Sequence, residues 1–158
     1  MAKVLFICLG NICRSPTAQA VFEHLVEREG LADKIKVASA GTGGWHVGNP
    51  PDERAQWFAS MRGYSMKHLR AKQVHVRDFD DYDLILAMDR SNQRALLEIC
   101  PDTCRDKVRL FLDFASQTQH REVPDPYYGG DDGFELVLDL VEDASQGVLQ
   151  YLRNNGLV

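Results

Sequence analysis

Short apolar runs alternate along the chain with longer segments in which apolar residues recur at helical spacing. The first run, residues 4–7, contains only β-favouring apolar residues and is typical of a buried strand. Similar runs predict further strands over residues 35–40, 83–88 and 108–112. Apolar residues three and four positions apart predict helices over residues 16–29, 52–62, 91–99 and 134–153. Residues 68–77 follow neither spacing, and we predict turns and short helical pieces there.

Alternating strands and helices are typical of a doubly wound α/β fold, in which parallel strands form a central sheet. No internal repeat, low-complexity segment or linker divides the sequence. We therefore predict one domain over residues 1–158, with a four-stranded parallel sheet flanked by helices. Ligands of such folds bind beyond the carboxyl ends of the strands. The segment directly after the first strand is therefore the expected position of a site.

That segment, residues 8–15, reads C-L-G-N-I-C-R-S. Gly10 and Asn11 tolerate a positive φ and break the strand, and the proline that follows the segment favours the first turn of a helix. A tight loop of N–H groups at a helix N-terminus binds anions, and the guanidinium of Arg14 can hold two oxygens at once. The same positive field favours the thiolate form of Cys8. The pattern predicts a phosphate-binding loop that carries a thiolate nucleophile.

Charge and cysteine content narrow the classes of function. With 18 basic and 23 acidic residues the formal net charge is −5, and no basic stripe is present, so we expect no nucleic-acid partner. No apolar run is long enough to span a membrane, and residues 4–7 are too short for a signal peptide. Four cysteines in 158 residues do not make a disulfide framework. We expect a cytoplasmic protein without membrane insertion, either monomeric or weakly self-associating, in a reducing compartment that suits a nucleophilic thiol.

A second motif, D-P-Y-Y at residues 125–128, supplies a candidate acid. Asp125 stands between two prolines, which restrict its backbone. A positioned carboxylic acid can protonate the leaving oxygen of a phosphate ester and then activate a water molecule. Tyr127 and Tyr128 can line a slot for an aromatic ring. Without the loop at residues 8–15, the same motif would be interpreted as a turn.

Together the two motifs resemble those of the low-molecular-weight protein tyrosine phosphatases. The octapeptide at residues 8–15 is similar to the signature loop of that family, and D-P-Y-Y is similar to its general-acid loop. The resemblance covers essentially the whole chain. It implies hydrolysis of phosphotyrosine in proteins or peptides through a cysteinyl-phosphate intermediate, with no metal and no cofactor. It implies Cys8 as nucleophile, Arg14 as phosphate ligand and Asp125 as general acid, with phosphate bound by Leu9, Gly10, Asn11, Ile12, Cys13, Arg14 and Ser15.

The resemblance also implies supporting roles. Hydrogen bonds among Asn11, Ser15, Ser39 and His68 are expected to hold the signature loop, and Asp89 is expected to orient the arginine. The implied substrate pocket consists of Ile12, Trp45, His46, Tyr127 and Tyr128. Gln19 stands where some relatives have glutamate, and His46 lies in a loop that varies in the family. Both differences bear on substrate preference.

Two other activities on the same fold remain open. The related arginine phosphatases have a threonine where this chain has Ile12, and they lack the paired tyrosines. Ile12 together with Tyr127 and Tyr128 therefore favours an aryl ester as substrate. Related arsenate reductases relay oxidation through two further cysteines, and Cys100 and Cys104 raise that possibility. These two residues lie near the end of the predicted helix 91–99, whereas the relay cysteines of that family lie closer to the strand.

The cysteines and glycines allow three further hypotheses. Cys8 and Cys13 lie five positions apart in one loop, close enough for a reversible disulfide. A zinc module could use these two with Cys100 and Cys104, although the pair spacings are loose. Residues 41–44 supply the first two glycines of a dinucleotide fingerprint, but His46 stands where the third is required.

Overall fold

The central feature of the computed structural model, which describes residues 1–127 and 129–158, is a parallel sheet of four strands. The strands are β1 (Ala2–Cys8), β2 (Ile35–Gly41), β3 (Leu84–Ala87) and β4 (Val108–Leu110). Their order across the sheet is β2-β1-β3-β4, and each neighbouring pair is parallel. The predicted fold class is confirmed.

Five α-helices flank the sheet among the described residues. They are α1 (Arg14–Arg28), α2 (Glu53–Met61), α3 (Asp78–Asp81), α4 (Arg90–Ile99) and α5 (Asp131–Asn154). Short 3-10 helices cover Asp102–Lys107 and Phe111–Phe114. The four long helices were predicted, whereas α3 and the 3-10 helices were not, because pieces of four to six residues are too short to show a period. No described helix is long and apolar enough to cross a membrane.

The core lies on both faces of the sheet. Alternate side chains of β1 point in opposite directions, so Val4 and Phe6 join the cluster that also contains residues of α1, α2 and α5. Leu5 and Ile7 join the second cluster, beside α3 and α4. Phe6 makes edge contacts with Phe22 at 5.7 Å and Phe111 at 5.0 Å between ring centroids. A strand buried on both faces reads as a continuous apolar run, which is why β1 was recognisable in the sequence.

The order of the strands indicates that ligands bind at the carboxyl ends of the strands, beside the end of β1. The chain passes from β1 to β2 on one side of β1, and from β2 it crosses to β3 on the other side, so the loop after β1 lies at the point where the strand order reverses. Cys8 ends β1 and pairs in register with Gly41, the last residue of β2. The loops that follow β1, β2 and β3 therefore meet at this edge.

Candidate active site

The loop between β1 and α1 is held in shape by the side chain of Asn11. Among the described residues, Asn11 is the one non-glycine residue with a positive φ, at 58°, a conformation that asparagine tolerates. Its amide nitrogen donates to the hydroxyls of Ser15 (2.7 Å) and Ser39 (3.0 Å). Its amide oxygen accepts the backbone N–H of Lys72 at 3.0 Å. Three separate elements therefore fix the curvature of this loop.

The sulfur of Cys8 lies at the floor of the loop, where two groups contact it. The hydroxyl of Ser15 is 3.0 Å from Sγ, and the backbone N–H of Asn11 donates to Sγ at 3.3 Å. In the thiolate form sulfur can only accept, so Ser15 is then the donor of the first contact. The surroundings suit a sulfur that carries negative charge.

The backbone around this sulfur has spare hydrogen-bond donors. The N–H groups of residues 9, 10 and 12–15 donate to no acceptor in the part of the chain that the structure describes. Residues 14 and 15 form the start of α1, whose first turn contains no acidic side chain. Converging N–H groups at the positive end of a helix form a site for an oxyanion.

Arg14 contributes a fixed positive charge. Its side chain is only 3% exposed, and Nη1 donates to Asp89 Oδ2 (2.7 Å) and to the carbonyl of Val123 (2.9 Å). Burial by itself would lower the pKa of this guanidinium, but Cys8 and Asp89 outweigh it and the pKa is raised. Asp89 is itself fixed, because its Oδ1 caps α4 by accepting the N–H of Asn92 at 2.7 Å. Residues after β3 thus orient the arginine of the loop after β1.

Asp125 approaches the same guanidinium from a different loop. Its Oδ2 lies 3.8 Å from Nη2 of Arg14, and its Oδ1 accepts the N–H of Tyr127 at 3.0 Å. The side chain is 40% exposed, so it can meet both solvent and a bound molecule. Besides the bond from Arg14 to the carbonyl of Val123, the N–H of Val123 donates to the carbonyl of Met88 at 2.8 Å, and Arg54 donates to the carbonyl of Tyr127 at 2.8 Å.

These groups line a small pocket of about 100 Å³ that is open to solvent. Its lining consists of Cys8, Leu9, Gly10, Ile12, Cys13, Arg14, Trp45, His46, Asp125 and Tyr127. A Cβ on Gly10 would lie 2.9 Å from Cδ2 of His46, so the loop that carries His46 packs directly on this glycine. Tyr128, also predicted in the pocket, lies outside the described residues. The other predicted pocket residues are brought together.

The supporting network differs from the expected one at His68. The hydroxyl of Ser39 donates to Oε1 of Gln19 at 2.7 Å, so the chain of hydrogen bonds from Asn11 continues into α1. His68 is exposed and takes part in no hydrogen bond among the described residues. Gln19 and the backbone of Lys72 occupy the bonds that we expected of the imidazole. This corrects the expectation for His68.

Residues 3–157 match a family of proteins described as low molecular weight phosphotyrosine protein phosphatase. The chain belongs to this family. It is 46% identical to a putative low molecular weight protein-tyrosine-phosphatase of Synechocystis, over 95% of this chain and 96% of that protein. It is 45% identical to the human low molecular weight phosphotyrosine protein phosphatase, over 85% of each chain.

Solved structures agree with this assignment. A protein tyrosine phosphatase from Entamoeba histolytica, crystallised with Hepes in the active site, superimposes with a TM-score of 0.96 at 39% identity, over 99% of both chains. The structure of YfkJ from Bacillus subtilis superimposes with a TM-score of 0.92 at 41% identity, over 98% of this chain and 96% of that one. The phosphatase fold therefore extends over nearly the whole chain.

The four cysteines, all free thiols, form two separate pairs within this phosphatase fold. Cys8 and Cys13 line the pocket and lie in the core cluster on one face of the sheet. Cys100 and Cys104 lie in the cluster on the other face, where Cys104 Sγ is 3.6 Å from Oδ1 of Asp80. A zinc site shared by all four does not form, since the sheet separates the pairs.

Two contributions to the site, that of Arg54 and that of Gln19 to the hydrogen-bond network, were not predicted from the sequence. Arg54 is in the first turn of α2, and its guanidinium reaches a carbonyl 73 positions away in the chain. Arginine near a helix start is common on surfaces, so no pattern in the sequence indicates this contact. Gln19 was noted as a difference from relatives, and its position four residues after Ser15, on the same face of α1, was a usable signal that it joins this network.

Proposed function

We propose that the whole chain, residues 1–158, acts as one phosphatase domain that hydrolyses phosphotyrosine in proteins or peptides. One observation carries the proposal: the Cys8 sulfur lies under unpaired N–H donors and the Arg14 guanidinium, and a carboxyl group, Asp125, lies 3.8 Å from that guanidinium. A nucleophile, an anion site and a proton donor thus share one pocket. Membership of the phosphotyrosine phosphatase family supports the same substrate class.

In the first step, the Cys8 thiolate attacks phosphorus on the side opposite to the tyrosine oxygen. The S–P bond forms and the P–O bond breaks, and the carboxylic acid of Asp125 transfers its proton to the leaving phenolate oxygen. The three remaining phosphoryl oxygens carry the developing charge. The loop N–H groups and Arg14 are placed to stabilise that charge, because they are already oriented before the reaction.

In the second step, water attacks the phosphocysteine. The Asp125 carboxylate takes a proton from the water as the new P–O bond forms and the S–P bond breaks. The thiolate of Cys8 and inorganic phosphate are the products. The hydroxyl of Ser15, 3.0 Å from sulfur, stabilises the thiolate as it departs. This scheme assigns every proton and charge to side chains of this protein and to water, without a metal or cofactor.

Phosphotyrosine should be preferred over phosphoserine and phosphoarginine by a wide margin in kcat/KM. The sulfur lies at the floor of a pocket with Trp45 and Tyr127 on its walls, so a long aryl phosphate reaches it and the shorter phosphoserine does not. Phosphoarginine is long enough, but Ile12 stands where the related arginine phosphatases have threonine. The test compares the three phosphopeptides in one sequence, with arsenate reduction measured in parallel. Ile12→Thr should weaken the preference. A faster rate on phosphoarginine, or reduction of arsenate, would replace the proposal with the corresponding activity on this fold.

Peroxide should inactivate the enzyme reversibly. Peroxide oxidises the Cys8 thiolate to a sulfenic acid. The Cys13 sulfur then attacks the Cys8 sulfur as its proton passes to the departing hydroxyl, so that the S–S bond forms, the S–O bond breaks and water leaves. Both residues line one pocket, and burial, with Asp52 adding to it, raises the pKa of Cys13. Cys13 therefore remains a thiol while Cys8 reacts. Activity should return with a thiol reductant, whereas in Cys13→Ser the loss should be largely irreversible.

A matched variant separates this effect from general thiol loss. Cys100→Ser removes a buried thiol on the other face of the sheet and should recover from peroxide like the wild type. Equal recovery of Cys13→Ser and wild type would show that Cys13 does not protect the nucleophile.

The setting proposed for this activity is the cytoplasm. Four free thiols, one of them the nucleophile, are maintained in a reducing compartment. The physiological substrates are tyrosine-phosphorylated proteins, and the phosphatase acts on them as a monomer or with weak self-association.

A further inference from the structure

Helix α2 exposes two large apolar side chains close to the proposed active site. Trp57 is 57% exposed and Met61 is 67% exposed, and both follow Arg54 on the same short helix. We refer to Arg54, Trp57 and Met61 as the α2 ridge. Single exposed apolar side chains are ordinary, but a continuous group that adjoins a site indicates an interaction surface.

The ridge begins at the mouth of the pocket. The backbone N–H of Asp52, which caps α2, donates to the carbonyl of Ile12 in the phosphate loop at 2.8 Å. Arg54 donates to the carbonyl of Tyr127 at 2.8 Å, and its guanidinium lies 5.8 Å from the centre of the Tyr127 ring. The start of α2 is therefore attached both to the loop that holds phosphate and to the wall of the pocket.

Ring contacts continue from Arg54 along the helix. The guanidinium lies 4.9 Å from the ring of Phe134, which stacks on Phe58 at 5.6 Å and 6° between planes. Trp57 makes an edge contact with Phe58 at 4.8 Å. Each residue of a helix adds about 1.5 Å, so Trp57 lies about 4.5 Å and Met61 about 10 Å beyond Arg54 along the axis. That span equals about three residues of an extended peptide.

A groove beside Trp57 offers room for a side chain. It is open, has a volume of about 470 Å³ and lies between α2 and the turn that follows it. Its lining includes Glu53, Gln56, Trp57, Ser60, Tyr64, Met66 and Lys67. Trp57 and Met66 supply its large apolar side chains, and its one acidic and one basic side chain leave it without net charge.

The small volume of the pocket above Cys8 indicates which part of a substrate contacts the α2 ridge. A volume of about 100 Å³ takes a phosphoryl group and part of an aromatic ring, so the backbone of a protein substrate stays outside. Residues that flank the phosphotyrosine must then lie on the surface around the mouth, where the α2 ridge begins. We propose that the α2 ridge binds the segment of the substrate that flanks phosphotyrosine, through an apolar side chain two to four residues away. This inference rests on the proposed function.

The test measures kcat/KM on phosphotyrosine peptides that carry leucine or serine at each position within four residues of the phosphotyrosine. Nitrophenyl phosphate, which is too small to reach Trp57, reports on the chemistry alone. The wild type should prefer leucine at one or two positions on one side by about tenfold, a typical effect of an aromatic anchor. Trp57→Ala should lose this preference, mainly through KM, while Trp57→Phe should keep most of it.

Controls separate docking from changes in folding or chemistry. Ile99→Ala, at an exposed apolar position on α4, should leave both substrates unaffected. Met61→Ala should reduce the leucine preference without changing the rate on nitrophenyl phosphate. If the wild type has no flanking preference, if the preference survives Trp57→Ala, or if Trp57→Ala slows both substrates equally, the docking proposal is overturned. Absence of turnover on every phosphotyrosine substrate would instead overturn the proposed function, and the docking proposal with it.

Discussion

Replacing Cys8 by serine should abolish turnover and leave phosphate binding nearly unchanged. The substitution removes the nucleophilic sulfur, and a hydroxyl in this position is a far weaker nucleophile because it is not ionised near neutral pH. The N–H groups and the Arg14 guanidinium, which are proposed to bind the oxyanion, remain in place when the sulfur is replaced by oxygen. We expect a loss of roughly 10⁴-fold or more in kcat on phosphotyrosine peptide. Calorimetric titration with inorganic phosphate should give a Kd close to that of the wild type.

A second thiol provides the control for this experiment. Cys100 is buried in the core cluster on the other face of the sheet, so Cys100→Ser tests the removal of a buried sulfur without touching the pocket. It should retain activity. Turnover by Cys8→Ser at an ordinary rate would mean that no phosphocysteine forms, and loss of phosphate binding would mean that sulfur itself is needed to keep the loop folded.

The architecture could be predicted because its main elements are long or strongly patterned. The strand β1 is buried on both faces, so its apolar run was unmistakable, and α5 presents a buried stripe over 24 residues. The element boundaries were less predictable. The last strand was predicted to extend to residue 112, but it ends at Leu110 because the chain turns into a 3-10 helix at Phe111. Short turns of this kind depend on tertiary packing that periodicity does not record.

The part of the site that lies within one loop could also be predicted from the sequence. Residues 8–15 are contiguous, so the sequence alone indicated the thiol, the turn and the cation together. Asp89 and Asp125 come from later loops, and only the likeness to a known family related them to Arg14. The parallel sheet explains their meeting, because the loops after β1 and β3 emerge at the same edge and Val123 is bonded to Met88 at the end of β3.

Contacts between side chains and distant backbone were not predictable. The hydrogen bond from Arg54 to the carbonyl of Tyr127 depends on how α2 is placed relative to the loop that carries Asp125, and no spacing in the sequence determines that placement. For the same reason, the sequence did not show that His68 stays outside the hydrogen-bond network. Its place in the supporting network followed from likeness, but Gln19 and the Lys72 backbone supply those bonds in this chain.

We propose Asp125 as the proton donor rather than Asp83 or Asp89 because of where the three carboxyl groups lie. Both oxygens of Asp89 already accept hydrogen bonds, Oδ2 from Arg14 and Oδ1 from the N–H of Asn92 at the N-terminus of α4. Asp83 accepts the N–H of Lys3, near the amino end of β1 and thus at the opposite edge of the sheet from Cys8. Asp125 has one oxygen beside Arg14 and a partly exposed side chain.

Asp125→Ala should slow the cleavage of phosphotyrosine far more than that of nitrophenyl phosphate. General acid catalysis contributes roughly 10²–10⁴ in rate, and its value depends on how much the leaving oxygen needs a proton. The phenol of tyrosine has a pKa of about 10 and leaves poorly as an anion, whereas a nitrophenol is more acidic and leaves with less help. The measurement is kcat for both substrates in wild type, Asp125→Ala and Asp83→Ala, the last of which should retain the wild-type ratio. Equal slowing of both substrates by Asp125→Ala would show that this residue shapes the loop and that the proton comes from another group.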